Sequence, residues 1–228
     1  MNRNFLYVVI ILTFSGMAFS QNKESRDVDS FRRVQVSEGI DVYLKQGNKE
    51  VVRVDSENLP LERVITRVTE DGTLKIHLDG NNRSNKITVY VTYVKLNDIS
   101  ASSAAGVYSE SVIKTNRLDI SASSAASIEV EVEATEVEVS VSSSGEVELK
   151  GKVHEIEIHA SSAGEVDAYD LDVNIVEAKA SSAGSIKITA NEEIYATASS
   201  GGSIRYKGSP KKSNTASSSG GWIRKTMD

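Results

Sequence analysis

The sequence contains no cysteine, two prolines and one tryptophan, and aromatic residues make up only 6% of its 228 positions. The absence of cysteine excludes disulfides, thiolate metal sites, thiol nucleophiles and a lipidated cysteine. The low aromatic content argues against a compact core built on large rings. The protein must therefore be stabilised by the packing of small and aliphatic side chains and by backbone hydrogen bonds.

Positive charge is scarcer than negative charge. The chain has 26 lysines and arginines against 32 aspartates and glutamates, which gives a formal net charge of -6. Proteins that bind nucleic acids depend on neutralising phosphates with basic side chains. We therefore expect no nucleic-acid partner.

The one long apolar run lies at the N-terminus and has the pattern of a secretory signal. Arg3 supplies a positive start, residues 5–14 are mainly apolar, and Ala18-Phe19-Ser20 forms a small-residue cleavage site. We predict a signal peptide over residues 1–20 and export to the periplasm, the cell surface or the extracellular space. A transmembrane anchor is the alternative, but the run is short for a span of roughly 20 residues. No later segment is apolar enough, so no membrane span is expected in the mature chain.

A seven-residue segment with a central Ser-Ser pair recurs through the C-terminal half. Its copies begin at Ile99, Ile120, Val139, Ile158, Ala178, Ala196 and Asn214. Between them, apolar and polar residues alternate, as in the run Ile128-Glu-Val-Glu-Val-Glu, which is typical of strands with one buried face. A period near 19 residues is too short for a helix plus a strand but fits short strands that coil once per repeat. The sequence predicts an all-β, single-stranded, right-handed parallel β-solenoid over residues 96–228, including a C-terminal cap.

Equivalent positions of the copies indicate which side chains face inward. One apolar column lies two residues before each start and includes Leu118, Val137, Ile156, Val176 and Ile194. A second column lies eight residues after each start and runs from Val107 to Trp222, which we expect to cover the last apolar layer. Small residues recur at one corner, where larger side chains would not fit. They are Ala105, Ala126, Gly145, Gly164, Gly184, Gly202 and Gly220.

The region before the repeats is less regular but retains β character. Residues 29–95 alternate around Gly39 and contain Asp71-Gly72, a pair typical of hairpin turns. We interpret this region as an N-terminal β cap, and this interpretation allows the cap to include degenerate coils. The polar residues 21–28 are predicted to form a disordered leader.

Three features of the sequence occur together. They are the strand pattern Phe31-Arg-Arg-Val-Gln-Val-Ser-Glu-Gly-Ile-Asp-Val-Tyr-Leu-Lys-Gln-Gly, the segment Asp71-Gly-Thr-Leu-Lys-Ile and the Ser-Ser-Ala-Gly repeats. In this combination the chain resembles the bacterial head GIN domain family, with Gly39-Ile40-Asp41 in place of Gly-Ile-Asn. The resemblance implies an exported β-solenoid of the kind described as an autotransporter adhesin head. It implies no catalytic residue.

The residues themselves indicate no catalytic, cofactor-binding or metal-binding site. Serine is abundant, but it is inert as a nucleophile without a base and an orienting group. The histidines are only His77, His154 and His159, at spacings that do not suit a shared metal ion. The Ser-Ser pairs are interpreted as the lining of a tight corner, where stacked hydroxyls satisfy neighbouring backbone groups.

Acidic residues concentrate in the middle coils. Between Glu129 and Asp172 there are thirteen of them, against Lys150 and Lys152, whereas residues 205–225 hold six basic residues and no acidic one. Many polysaccharide-cleaving β-helices use outer carboxylates, but they also need long loops, and these coils are too uniform to supply them. We interpret the acidic residues as a solubilising face with weak binding of divalent cations as a further possibility.

The sequence thus predicts a non-enzyme, an exported structural or adhesive module that presents a rigid repeat surface to an envelope protein or a polysaccharide. Two alternatives stay open. One is a β-helix carbohydrate-active enzyme, and the other is a self-assembling envelope scaffold.

Overall fold

The computed structural model describes residues 22–57, 59–80 and 86–226, and it confirms the β-solenoid. The predicted signal peptide over residues 1–20 lies outside the described residues. In the part that the structure describes, no helix is long and apolar enough to cross a membrane.

Eighteen strands account for the described fold. The N-terminal region contains β1 (Asn22–Asp27), β2 (Arg33–Val36), β3 (Asp41–Gln46), β4 (Val51–Ser56), a short 3-10 helix (Leu61–Arg63), β5 (Val64–Val68), β6 (Thr73–Leu78) and β7 (Ile87–Tyr93). The first repeats contain β8 (Asp98–Ala101), β9 (Gly106–Ser109), β10 (Ile113–Ala122), β11 (Ser127–Val141), β12 (Glu146–Ala160) and β13 (Glu165–Ala180). The last repeats contain β14 (Ser185–Thr189), β15 (Glu193–Ala198), β16 (Ser203–Lys207), β17 (Lys212–Ser217) and β18 (Trp222–Lys225).

Two sheets enclose the apolar core. The first, called sheet A, has the order β1-β4-β7-β3-β9-β11-β12-β13-β14-β16-β18. The second, called sheet B, has the order β5-β6-β2-β8-β10-β11-β12-β13-β15-β17. The long strands β11, β12 and β13 belong to both sheets, since each bends near its middle. Pairing is parallel throughout except at β1, β4 and β5.

The first predicted apolar column is confirmed, and the second is confirmed from Val107 to Ile204. Leu118, Val137, Ile156, Val176 and Ile194 stack on sheet B and are fully buried. The column on sheet A is equally buried, and it consists of Val42, Val107, Ile128, Val147, Val166, Ile186 and Ile204. Such burial contributes about 25 cal/mol for each Å² of apolar surface, so the columns are the main source of stability.

The Ser-Ser segment of each repeat forms a four-residue turn between the two sheets. In the third copy, Ser143 and Ser144 both have positive φ angles, 51° and 59°, as in a type I′ turn. The turn is closed by a hydrogen bond of 2.9 Å from the Gly145 N–H to the Ser142 carbonyl. The Ser144 N–H donates to the Ser162 carbonyl of the next turn at 3.2 Å. Among the described residues the serine hydroxyls of these turns make no hydrogen bonds, so the prediction that they satisfy the backbone is wrong.

The recurring alanines and glycines occupy the fourth position of each turn, where there is no room for a larger side chain. A Cβ atom placed on Gly184 would lie 2.4 Å from the Ala160 carbonyl oxygen of the preceding coil, because successive backbones meet closely there. In the last repeat the glycine at this position is Gly221, whose N–H closes the turn to Ser218. The prediction of Gly220 was therefore wrong by one residue, because strand β17 pairs with β15 in a register that puts Thr215, not Asn214, opposite Ala196.

The N-terminal region contains two complete coils stacked out of chain order. Strands β2 and β3 form one coil, and it lies between β6/β7 on one side and β8/β9 on the other. Its turn, Ser37-Glu38-Gly39-Ile40, has the same two positive φ angles as the repeats, and the Gly39 N–H donates to the Ser103 carbonyl at 3.0 Å. The Gly-Ile-Asp segment thus belongs to the same ladder of turns as the serine repeats.

Residues 22–27 form an edge strand, which corrects the prediction of a disordered leader at 21–28. Strand β1 pairs antiparallel with β4. The Arg26 guanidinium donates to the Val64 carbonyl at 2.5 Å, to the Leu61 carbonyl at 2.8 Å and to the Thr66 hydroxyl at 3.0 Å. Since β1 lies in sheet A and β5 in sheet B, Arg26 fastens both sheets together at this end.

The final coil ends the core with polar side chains. Ser213, Thr215 and Ser217 take the inward positions of β17, opposite Ile194, Ala196 and Ala198. Trp222 pairs with Ser203, an outward position, so it does not cover the last apolar layer as predicted. The inward residue of β18 is Ile223, which packs against the core.

Adjacent glycines in one turn provide a test of the backbone approach. Gly202→Ala should destabilise the protein by about 2 kcal/mol or more, since the new Cβ would lie 2.4 Å from the Ala180 carbonyl oxygen. Gly201→Ala is the matched control, because nothing lies within 4 Å and Ala183 has a φ of 62° at the same position of the preceding turn. It should cost about 1 kcal/mol at most. Urea unfolding of both variants distinguishes them, and equal midpoints would contradict the account.

Truncation tests the terminal coil. Deleting residues 209–228 removes β17 and β18 and uncovers Ile194 and Ile204, which are fully buried in the intact chain. An uncovered apolar sheet end pairs readily with other chains. The shortened protein should aggregate in static light scattering at concentrations where the parent stays clear. A truncated chain as soluble and as stable as the parent would rule out a capping role.

Candidate binding surface on sheet A

Three tyrosines form a stack on the outer face of sheet A. Strand neighbours β7, β3 and β9 place Tyr90, Tyr43 and Tyr108 directly beside one another. The ring centroids of Tyr43 lie 5.5 Å from Tyr90 and 5.2 Å from Tyr108, with interplanar angles of 23° and 27°. The Arg53 guanidinium of β4 lies over the Tyr90 ring at 4.1 Å and extends the stack by one strand. We call Tyr90, Tyr43 and Tyr108 the tyrosine ladder.

At the β9 end of the tyrosine ladder, the Tyr108 ring and the Asp41 carboxylate both lie against Gly106. A Cβ atom on Gly106 would lie 2.7 Å from both the Tyr108 hydroxyl oxygen and the Asp41 Oδ1, so the ring and the carboxylate occupy the space that a side chain would take. Burial raises the pKa of Asp41, and the positive charge of Lys86 partly opposes this shift. Burial also raises the pKa of Tyr108, with additional contributions from the charges of Asp41 and Glu129. Tyr108 is therefore a neutral hydrogen-bond donor at physiological pH.

The tyrosine ladder presents ring edges and hydroxyl groups rather than ring faces, because the faces stack on each other. The three rings are half-buried and belong to paired strands, so little conformational entropy is lost when a ligand binds them. Aromatic side chains with a polar end suit ligands that offer both C–H surface and hydroxyl groups. This arrangement can bind a ligand through its ring edges and hydroxyl groups.

Sequence reasoning missed the tyrosine ladder, although a signal was present. The dipeptide Val-Tyr occurs at 42–43, 89–90 and 107–108, each time in an alternating strand segment. Only the out-of-order stacking of β7, β3 and β9 reveals that these tyrosines are neighbours.

The acidic residues do not form one uncompensated band. Eight of the thirteen between Glu129 and Asp172 have a basic partner in an ion pair; they are Glu133, Glu136, Glu138, Glu148, Glu157, Glu165, Asp167 and Asp172. Arg117 alone pairs with Glu138 at 2.7 Å and with Asp119 at 3.0 Å, and it also contacts Glu136. Within the described ranges, no group of three acidic or histidine residues could hold a metal ion.

None of the three histidines forms a hydrogen bond with a serine within the described part of the chain. His159 Nε2 lies 2.8 Å from Glu157 on the outer face of sheet B. This hydrogen bond, together with that from Lys179, lowers the pKa of Glu157. His154 lies at the bend of β12 and contacts Asn174 at 3.3 Å. His77 Nδ1 lies 3.2 Å from the backbone carbonyl of Leu78.

Two surface depressions lie away from the tyrosine ladder. The larger, of about 590 Å³, lies where the chain crosses from β7 to β8, and its lining residues Arg33 and Asp71 pair with each other at 3.3 Å. The smaller, of about 350 Å³, lies at the strand bends beside Glu133 and Lys152.

Basic and aromatic residues occupy the opposite end of sheet A. The guanidinium groups of Arg205 and Arg224 lie 4.6 Å and 5.5 Å from the centroid of the Trp222 ring. The Lys207 ammonium group lies 4.4 Å from the Tyr169 ring. Such cation–π contacts contribute roughly 0.5–1 kcal/mol each at exposed sites.

These features define a repeat β-solenoid whose candidate binding groups lie on flat outer faces of its sheets. The chain belongs to the family described as "Putative auto-transporter adhesin, head GIN domain", which matches residues 30–210. The resemblance seen in the sequence is thereby confirmed. No curated protein is similar to the chain at a significant level.

Solved structures share the fold along nearly the whole chain. A putative adhesin from Bacteroides fragilis has a TM-score of 0.83 at 23% identity, and the match covers 90% of this chain and 97% of that one. A putative adhesin from Parabacteroides distasonis has a TM-score of 0.74 at 19% identity and covers 92% and 98% of the two chains. Another protein of the same species, described as a putative lipid binding protein, has a TM-score of 0.62 at 20% identity, with 91% and 98% covered. At these identities the likeness concerns the fold alone.

The environment of Asp41 gives a prediction about pH. Because burial raises its pKa, the ionised carboxylate opposes folding at neutral pH, and this cost disappears once the pH falls below the ordinary carboxyl pKa of about 4. Asp41→Asn should therefore raise the melting temperature at pH 7 but not at pH 3. Asp27→Asn is the control of opposite sign, since the hydrogen bond with Lys49 lowers the pKa of Asp27. An Asp41→Asn gain that persists unchanged at pH 3 would contradict the assignment.

Proposed function

We propose that the protein is an exported, non-catalytic adhesive module that binds an extended polysaccharide of the cell envelope or its surroundings through the tyrosine ladder. The observation that carries the proposal is the stack of Tyr90, Tyr43 and Tyr108 on the outer face of sheet A. Membership in the adhesin family supports the same role.

The spacing of the tyrosine ladder supports a repeating ligand. Its rings follow one another at 5.5 Å and 5.2 Å, which is comparable to the length of one sugar residue in an extended glycan. Each hydroxyl can donate to or accept from a sugar hydroxyl, and the exposed ring edges contact the sugar C–H groups. Arg53 adds a fixed positive charge at one end of the stack, which favours an acidic sugar there.

Export is part of the proposal. The signal pattern at residues 1–20 supports export of the mature chain to the periplasm or the cell surface. The absence of cysteine is compatible with either compartment, since the core depends on stacked aliphatic columns rather than disulfides.

Binding of the mature chain, residues 21–228, to a glycan array tests this function. Tyr43→Ala removes the central ring and should weaken the best glycan about tenfold, equivalent to roughly 1.4 kcal/mol. Tyr195→Ala is the matched control, because Tyr195 lies on sheet B and pairs with Glu193 at 2.6 Å. Circular dichroism should show both variants folded.

The same assay separates binding from catalysis. Prolonged incubation with the bound glycan should release no new reducing or unsaturated ends. Glycan cleavage would overturn the non-catalytic role, and binding that survives Tyr43→Ala unchanged would exclude the tyrosine ladder as the site.

A further inference from the structure

Below the tyrosine ladder, the same outer column of sheet A changes from acidic to basic. In strand order it continues through Glu129, Glu148, Asp167, Lys187, Arg205 and Arg224. Three negative charges are thus followed by three positive charges along one straight line. We call these six residues the charge column.

Stacking of like charges in register opposes folding of the isolated molecule. Glu129 lies directly beside Glu148, and Arg205 directly beside Arg224, at a strand spacing of about 4.8 Å. Two contacts compensate charges of the column within the chain: Lys187 contacts Asp167 at 3.0 Å, and Lys150 contacts Glu148 at 2.7 Å. In the described part of the chain, Glu129, Arg205 and Arg224 form no ion pair. Opposite charges from outside the molecule would relieve both ends of the charge column.

The charge column is complementary to itself when its direction is reversed. A twofold axis along the strand direction, between β13 and β14, places Glu129 opposite Arg224 of a second copy. The same operation places Glu148 opposite Arg205 and Asp167 opposite Lys187. Because every pair occurs twice in such an arrangement, the contact closes as an isologous dimer rather than growing into a filament.

The neighbouring outer columns fit this arrangement with one exception. On one side, Glu146 would lie opposite Ser203, and Ser127 opposite the ring of Trp222. On the other side, Lys150 would lie opposite Lys207, at the rim, where solvent screens the repulsion.

We propose that the outer face of sheet A between β11 and β18 binds a second copy of the chain in antiparallel orientation through the charge column. A polyanionic or polycationic partner would match one half of this face and be repelled by the other half, which favours self-association. Six strands of about 4.8 Å spacing give a contact of roughly 25 Å by 20 Å, about 500 Å² per copy and near the lower limit for a specific interface. The dimer is therefore weak and depends on salt.

This dimer does not depend on the proposed function, but it has a consequence for it. The tyrosine ladder lies beyond β11 and outside the contact. The two copies would carry their tyrosine ladders at opposite ends of the pair, so that one dimer could engage two glycan segments and gain avidity.

Charge reversal with analytical ultracentrifugation tests the proposal on the mature chain. The parent should be largely dimeric in about 20 mM salt and monomeric in about 500 mM salt, where the Debye length falls from roughly 20 Å to a few Å. Glu148→Lys and Arg205→Glu should each be monomeric in low salt, with the apparent Kd raised at least tenfold. Glu155→Lys is the matched control on the outer face of sheet B and should dimerise as the parent does.

Mixing the two variants provides the decisive result. In a mixed pair, the lysine introduced by Glu148→Lys in one chain faces the glutamate introduced by Arg205→Glu in the other. The unaltered Arg205 of the first chain faces the unaltered Glu148 of the second, so the equimolar mixture should regain the dimer. The double variant Glu148→Lys/Arg205→Glu should regain it alone. Melting temperatures near that of the parent verify folding.

A parent that stays monomeric at low salt would overturn the proposal, as would a mixture that stays monomeric or a low-salt dimer that tolerates both single reversals. A monomeric parent that binds an anionic polymer such as heparin would instead assign the basic end to a polyanion.

Discussion

The structure depends on the hydrogen bond between successive turns. Each turn holds two residues with positive φ, a conformation that costs a serine or alanine roughly 1 kcal/mol. A repeated hydrogen bond offsets this cost. In it, the N–H of the second positive-φ residue donates to a carbonyl of the next turn, as the Ala125 N–H donates to the Ser143 carbonyl at 3.1 Å. The bond forms only if the coils lie in register, and register in turn stacks every apolar side chain on its own kind. The same condition makes the sequence repetitive and the outer faces straight.

The repeat part of the fold could be predicted because identical sequences must occupy identical places in a stack. Alternation then identified the buried columns, including Ile156 and Ile186. The prediction of strand positions failed where the sequence has no repeated apolar alternation. In the last repeat, polar residues such as Ser213 fill inward positions, so the pattern could not fix the register. Residues 22–27 are polar because they form an edge, and only the contacts of Arg26 show that they are ordered.

The candidate site was harder to predict than the fold for a related reason. Binding groups of a solenoid lie in columns that run across the strands, so their members are separated by 18 residues or more in the sequence, and Tyr43 and Tyr90 are also out of chain order. A count of charges along the chain likewise combines two sheets. It placed Glu129 and Glu155 in one band, whereas they lie on opposite outer faces with different neighbours.

The displaced position of the β2/β3 coil gives the molecule a mechanical polarity. Within the described residues, strands β17 and β18 are paired on one side only, so tension applied after residue 226 separates the coils one at a time, a few hydrogen bonds per step. At the other end, the β2/β3 coil comes first in the sequence but is paired on both sides with coils that come later in the sequence. The β2/β3 coil cannot separate until its hydrogen bonds to both neighbouring coils have broken. Beyond the β6/β7 coil, Arg26 also links sheet A to sheet B. A protein held at its N-terminal end and pulled from its C-terminal end would therefore unfold coil by coil from the C-terminus. The coils that carry the tyrosine ladder would stay folded longest.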